Sequence, residues 1–141
     1  MTSALENLLK VSKGGLKQEP PSQSEIEGLI RSAKRKRQDA EIAGLGEESR
    51  FDLIYNAAHA LALAALRWHG YRSDNRVLVF QALAHTLNFP AAKWRVLDRC
   101  HGKRNLAEYE GRFDVDGQLI RELAVITAEL EAEVDALGPV P

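Results

Sequence analysis

Apolar residues recur every three or four positions from Ser24 onward, which is the spacing of amphipathic helices. Ser24 reads as an N-cap with Glu27 three residues later, and Ile26, Leu29, Ile30, Ala33 and Ala40 then share one face of a helix predicted to run to about Ala43. GLGEES closes it. The next helix, about Glu48 to His69, is apolar almost all round through Phe51, Leu53, Ile54, Ala57, Ala58, Leu61, Leu63, Ala65 and Leu66, so it is predicted to be the central one. Gly70 ends it at the C′ position. Ser73 or Asp74 is placed to cap a third helix with the stripe Val79, Phe80, Leu83, Ala84 and Leu87. Pro90 opens a fourth, which Gly111 stops. After the turn FDVDG, a fifth carries Leu119, Leu123, Ile126, Leu130, Val134 and Leu137. No strand pattern stands out.

Upstream, residues 2–11 suit a short amphipathic helix through Leu5, Leu8 and Leu9, and Gly14, Gly15, Pro20 and Pro21 mark 12–22 as a linker. The expected organisation is a short helix and linker over 1–22, then one domain over 23–138. That domain is an all-α antiparallel bundle of four to five main helices with short connections. The 141 residues suit one core.

Composition adds compartment. A single cysteine, Cys100, allows no internal disulfide and favours a reducing, cytoplasmic setting. The N-terminus lacks the basic start and apolar run of a signal peptide. AAHALALAALRWHG, broken by His59 and Arg67, falls short of the roughly 20 apolar residues of a membrane span, so no membrane role is expected.

Net charge is −1 but unevenly spread: residues 67–112 hold nine Lys or Arg against four acids, and 113–141 hold seven acids against Arg121. This pattern fits a phosphate-facing surface or helices paired through charge.

The fourth helix carries the candidate chemistry. At about 100° per residue, Trp94, Leu97, His101, Arg104, Asn105 and Glu108 fall on one side, so polar groups continue the face that Trp94 and Leu97 mark as inward. A buried Arg must be paired, at a rim, or facing a cleft. One account is an Arg104–Glu108 pair at i, i+4 with His101 and Asn105 satisfied by neighbouring helices. The other is a phosphate or nucleotide site, since Arg offers a planar fork for phosphate and Asn an orientable amide. On the central helix Asp52, Tyr55, Asn56 and His59 line a polar stripe that would form the second wall if it faces Arg104. Satisfied core polars are the plainer reading of Asn56 and His59.

Other features carry less. In KRKR at 34–37, Lys34, Arg35 and Lys36 lie off the apolar stripe and read as a solvated face, though such runs also bind nucleic acid. Trp68, His69, Tyr71 and Arg72 suit packing at a helix end or stacking on a base. Cys100 reads as a buried, inert thiol. His59, His69, His85 and His101 are scattered without a close ligand pair, Gly14-Gly15 lacks the rest of a phosphate loop, and no nucleophile motif exists. No metal and no cofactor is expected.

YNAAHALALAALRWHGYR at 55–72 and KRNLAEYEG at 103–111 resemble the HEPN superfamily, helical bundles of prokaryotic toxin–antitoxin and defence systems. The helix order extends the resemblance over roughly 24–137. It implies a homodimer with two motifs facing one cleft, a nucleotidyltransferase-type antitoxin as partner, and RNA as substrate, cut without metal. In active members an Arg, usually followed by a polar residue, precedes a His by four to six positions. Arg104 and Asn105 match the first half, while the window after them holds Glu108 and Tyr109 and no His. Two functions therefore stand beside each other: an endoribonuclease toxin with Arg104 on the phosphate, and a catalytically silent module binding RNA, a nucleotide or a protein. For catalysis His101, one turn before Arg104, is the substitute base, because its unperturbed pKa of about 6.5 suits proton transfer, whereas Tyr109, near 10, is a proton donor only. The proposed site is thus Arg104, Asn105, His101 and Tyr109 for catalysis, with Tyr55, Asn56, His59 and Glu108 for binding.

Overall fold

The computed structural model describes Leu5 and residues 15–141. Its elements are β1 (Lys17–Gln18), α1 (Gln23–Asp39), α2 (Glu47–Trp68), β2 (Tyr71–Arg72), α3 (Arg76–Gln81), α4 (Leu83–Thr86), α5 (Ala91–Glu110) and α6 (Gly117–Asp135). The protein is an all-α bundle. The predicted helix over 2–11 lies outside the described residues except for Leu5, which is helical and buried.

Helix α2 is the axis. Its sequence has almost no polar face, and Phe51, Tyr55, Ala57, Ala58, Leu61, Ala64, Ala65 and Leu66 are all at or below 1% exposure, because every other helix packs against it. The connection after α1 is short, and Arg50 Nε and Nη2 donate to the carbonyls of Ala40 and Ile42, so α1 runs antiparallel to α2 and its C-terminal carbonyls are satisfied. Helix α5 is also antiparallel to α2, with His101 beside Tyr55 and Glu108 beside Glu48. Helix α6 runs parallel to α2 and antiparallel to α1 and α5. Asp116 Oδ1 accepts from Leu119 N at 2.8 Å to start α6, and Leu119, Leu123, Ile126, Leu130 and Val134 bury as the spacing predicted.

The acidic C-terminal stretch pairs with neighbouring helices. Lys34 and Arg37 bridge to Asp135 (3.1 Å) and Glu131 (2.9 Å), and Lys93 pairs with Glu129. Half of KRKR is therefore an α1–α6 contact.

Three local expectations change. The N-cap of α1 is Ser22, whose Oγ accepts from Glu25 N at 3.3 Å, two residues before Ser24. The third helix divides at Ala82: it stays right-handed there (φ −62°, ψ −18°), but His85 N reaches Ala82 O at 2.8 Å, an i+3 contact that tightens the turn and separates α3 from α4. Its cap is Asn75, not Ser73 or Asp74.

Of the expected linker the structure describes 15–22, and there it forms a short strand where no strand pattern stood out. Residues 15–22 are docked on the bundle: Leu16 is 2% exposed, and Lys17 and Gln18 pair antiparallel with Arg72 and Tyr71. The cause is Arg67, 1% exposed. Its guanidinium donates to Glu25 Oε1 (2.5 Å), Pro20 O (2.7 Å), Glu19 O (3.0 Å) and Tyr71 O (3.3 Å), and lies 3.2 Å from Glu19 Oε2. Arg72 doubles the grip on Glu19 (2.8 Å) and Glu25 (2.6 Å). A buried cation is tolerable only when its donors are used in this way. Gly70, at φ +88°, makes the left-handed turn from α2 into β2 and accepts from Glu19 N at 2.9 Å. At the same end of α2, Trp68 Nε1 donates to Gly138 O (3.1 Å), and Val140 N donates to Gln23 Oε1 (2.8 Å).

Candidate functional site

The polar stripes of α2 and α5 meet. Tyr55 sits in the core at 0% exposure, wedged among Phe51, Phe80 and His101, and its hydroxyl is 2.8 Å from His101 Nδ1. Asn105 Nδ2, one turn along α5, donates to His101 Nε2 at 3.1 Å. With the amide so oriented, His101 carries its ring proton on Nδ1 and donates it to the Tyr55 oxygen, leaving Nε2 as the acceptor. Burial lowers the His101 pKa; Asp98 opposes this, and the positive charges of Arg76 and Arg104 reinforce it. The ring is neutral at neutral pH.

The Arg104 guanidinium carbon lies 5.5 Å from the Tyr55 ring centroid, and its Nη1 is 2.9 Å from Glu108 Oε2. Beside it opens a cleft of about 250 Å³ lined by Glu48, Asp52, Asn56, Arg104, Ala107 and Glu108. Arg104 is thus ion-paired and also faces an opening. Burial and the Glu48 charge raise the Asp52 pKa, while Arg104 pulls it down.

Arg76, at the first position of α3, completes the group. Its guanidinium carbon is also 5.5 Å from the Tyr55 centroid, and its Nη1 donates to Asn56 Oδ1 at 3.0 Å. The sequence reading missed it. The only local signal was the cap Asn75, which places Arg76 at a helix start; nothing in the spacing links it to Asn56 twenty residues earlier.

Six of the eight expected residues therefore converge: Tyr55, Asn56, His101, Arg104, Asn105 and Glu108. Tyr109 does not, being 77% exposed and absent from these contacts, because its position on α5 is rotated away from the His101 side. His59 does not line the cleft. It lies one turn along α2, where Phe80 covers it edge-on at 5.9 Å, and its Nε2 is buried without a hydrogen-bond partner.

Burial, with Arg76, His101 and Arg104 adding to it, lowers the His59 pKa to about 4. A histidine with a depressed folded pKa favours folding above its unfolded pKa of about 6.5, and that stability is lost as pH falls toward 4. The unfolding free energy is expected to drop by about 2–3 kcal/mol over that window in urea titrations, and His59→Leu should flatten much of the slope.

Cys100 is fully buried, and burial pushes its thiol up to about 12, so it is inert. Trp68 is engaged by the C-terminal carbonyls, which favours packing over stacking. Among the described residues no helix is long and apolar enough to cross a membrane, and no group of three His, Cys, Asp or Glu side chains could hold a metal ion. Comparison of the chain with family models, curated proteins and solved structures finds no match.

Proposed function

We propose that this chain is a HEPN-like protein that acts on RNA as a metal-independent endoribonuclease, the toxin half of a toxin–antitoxin or defence pair. The observation that carries the reading is the convergence of Arg104, Asn105 and a neutral His101 at Tyr55, beside an open cleft. Here His101 stands one turn before the arginine and takes the place of the missing downstream histidine. In the proposed step, Nε2 of His101 accepts the proton of a 2′-hydroxyl that displaces the Asn105 amide. The freed oxygen attacks the adjacent phosphorus, and Arg104 balances the phosphorane charge. The P–O5′ bond then breaks, the leaving oxygen takes a proton from solvent, the His101 imidazolium returns its proton to solvent, and the products are a 2′,3′-cyclic phosphate and a 5′-hydroxyl. A homodimer and a nucleotidyltransferase-type antitoxin belong to the same proposal through the family resemblance, and cytoplasmic action through the single cysteine.

A second reading has its own support. Both ring nitrogens of His101 are occupied and Arg104 is paired with Glu108, as suits a catalytically silent module that binds RNA, a nucleotide or a protein. The test is incubation of the purified protein with a mixed RNA pool in EDTA. New 2′,3′-cyclic phosphate ends are the expected result. RNA bound but uncut selects the silent module, and neither binding nor cleavage rejects both RNA readings.

A further inference from the structure

Among the described residues, Arg76 belongs to the half-buried cations that have no carboxylate partner, with Lys36, which donates to Ser32 Oγ, and Arg50, which donates to the Ala40 and Ile42 carbonyls. Of the three it alone adjoins the site at Tyr55. Arg67 and Arg72 are matched by Glu19 and Glu25, Arg37 by Glu131, and Arg104 by Glu108. Among the described residues no carboxylate lies within salt-bridge distance of Arg76; its partners are the neutral Asn56 amide and the Tyr55 ring. A half-buried guanidinium without a counter-charge carries a desolvation penalty that an anion would relieve.

Its aim is also fixed. Asn56 Nδ2 donates to Asp52 O at 2.8 Å on its own helix, which turns Oδ1 toward Arg76. Arg76 and Arg104 reach the same Tyr55 ring from α3 and α5 at equal distance, 5.5 Å, so the two guanidiniums are separated by no more than twice that length. Arg76 also supplies donors that Arg104, partly spent on Glu108, lacks.

We propose that Arg76, which adjoins this cleft through the cleft-lining Asn56, is a substrate-binding residue, holding one RNA phosphodiester jointly with Arg104, and that Asn56 is its positioning residue. The assignment rests on the RNA reading above. It makes α3 a third wall of the site, reached through Asn56, which lines the cleft.

The test is a double-mutant cycle with a short fluorescein-labelled single-stranded RNA, using Arg76→Gln, Arg104→Gln and the double variant. Each protein is first checked for an unchanged melting temperature. Each single change should weaken binding about tenfold, and the double variant should fall well short of the hundredfold product, because both groups serve one phosphate. The double variant should also lose about 0.7 from the slope of log Kd against log salt, the share of one phosphate on a single strand. A purely structural Arg76 would leave the double variant equal to Arg104→Gln in both affinity and slope. Asn56→Ala should weaken binding in wild type and add nothing in Arg76→Gln.

Unchanged binding by Arg76→Gln beside weakened binding by Arg104→Gln would overturn the assignment while sparing the RNA reading. Additive losses with twice the slope change would overturn the shared phosphate. If wild type binds no RNA, the RNA reading falls; titration with inorganic phosphate then judges Arg76, and a shifted Arg76 Nε resonance would keep it as an anion ligand while an unmoved one would reject it.

Discussion

An Arg67→Met protein unfolds with about 3 kcal/mol less stability than wild type, which for a chain of this size lowers the melting temperature by roughly 10 °C. The loss comes from what the guanidinium leaves behind. The carbonyls of Glu19, Pro20 and Tyr71 lose their donor, and Glu25 loses one of its two arginines. Methionine fills the volume, so a cavity contributes little. Arg72 survives to hold Glu19 and Glu25, and both acids keep partial contact with water, which places the loss at the lower end of what a broken buried pair costs. Arg67→Lys recovers only part, because one ammonium cannot span the same carbonyls and carboxylates. Thermal and urea unfolding check both variants; a melting temperature within a degree or two of wild type would show the clasp to be a minor contributor.

Cleavage falls about 100- to 1,000-fold in Arg104→Ala and about 100- to 10,000-fold in His101→Ala, if the ribonuclease reading holds. The first removes the cation facing the phosphorane, the second the base that accepts the 2′-hydroxyl proton. The pH profile separates them. His101 acts as the neutral ring, and burial with the Arg76 and Arg104 charges lowers its pKa despite Asp98. The rate should therefore stay level as pH drops to the ordinary histidine value of about 6.5 and decline only below it. Arg76→Gln removes one of the depressing charges and should move that decline to higher pH. Single-turnover cleavage across pH, on variants with unchanged melting temperature, reads both effects; an acid limb that ignores His101→Ala would exclude it as the base.

The periodic part of the fold was legible because burial follows period. Leu119, Leu123, Ile126, Leu130 and Val134 recur at three and four and do bury, and the all-round apolar α2 is the axis. That Tyr55 and His101 point inward was legible for the same reason, since each lies on a face marked by apolar neighbours; that the two stripes face each other was only a condition in the sequence and came from the packing of α5 on α2. What escaped depends on contacts between distant residues. Two-residue strands have no alternation to detect, and the β1–β2 pairing joins Lys17 to Arg72. Arg67 read as an interruption of an apolar run, since its five acceptors come from residues 19–25 and 71. Arg76 joined the site through Asn56 and Tyr55, both on another helix. The turn at Ala82 lies in an unbroken helical pattern, so periodicity could not show it.

The joining of residues 17–23 and 138–140 to one end of α2 has a mechanical meaning. Traction applied at the two ends of the described segment would not peel helices away one at a time from a frayed edge. It would load the Arg67 clasp and the Trp68 and Gln23 contacts first, before any force reached the layers around Tyr55. The bundle is closed like a purse at the end remote from Glu48 and Glu108, and the cleft is carried by the part of the molecule that such a load reaches last.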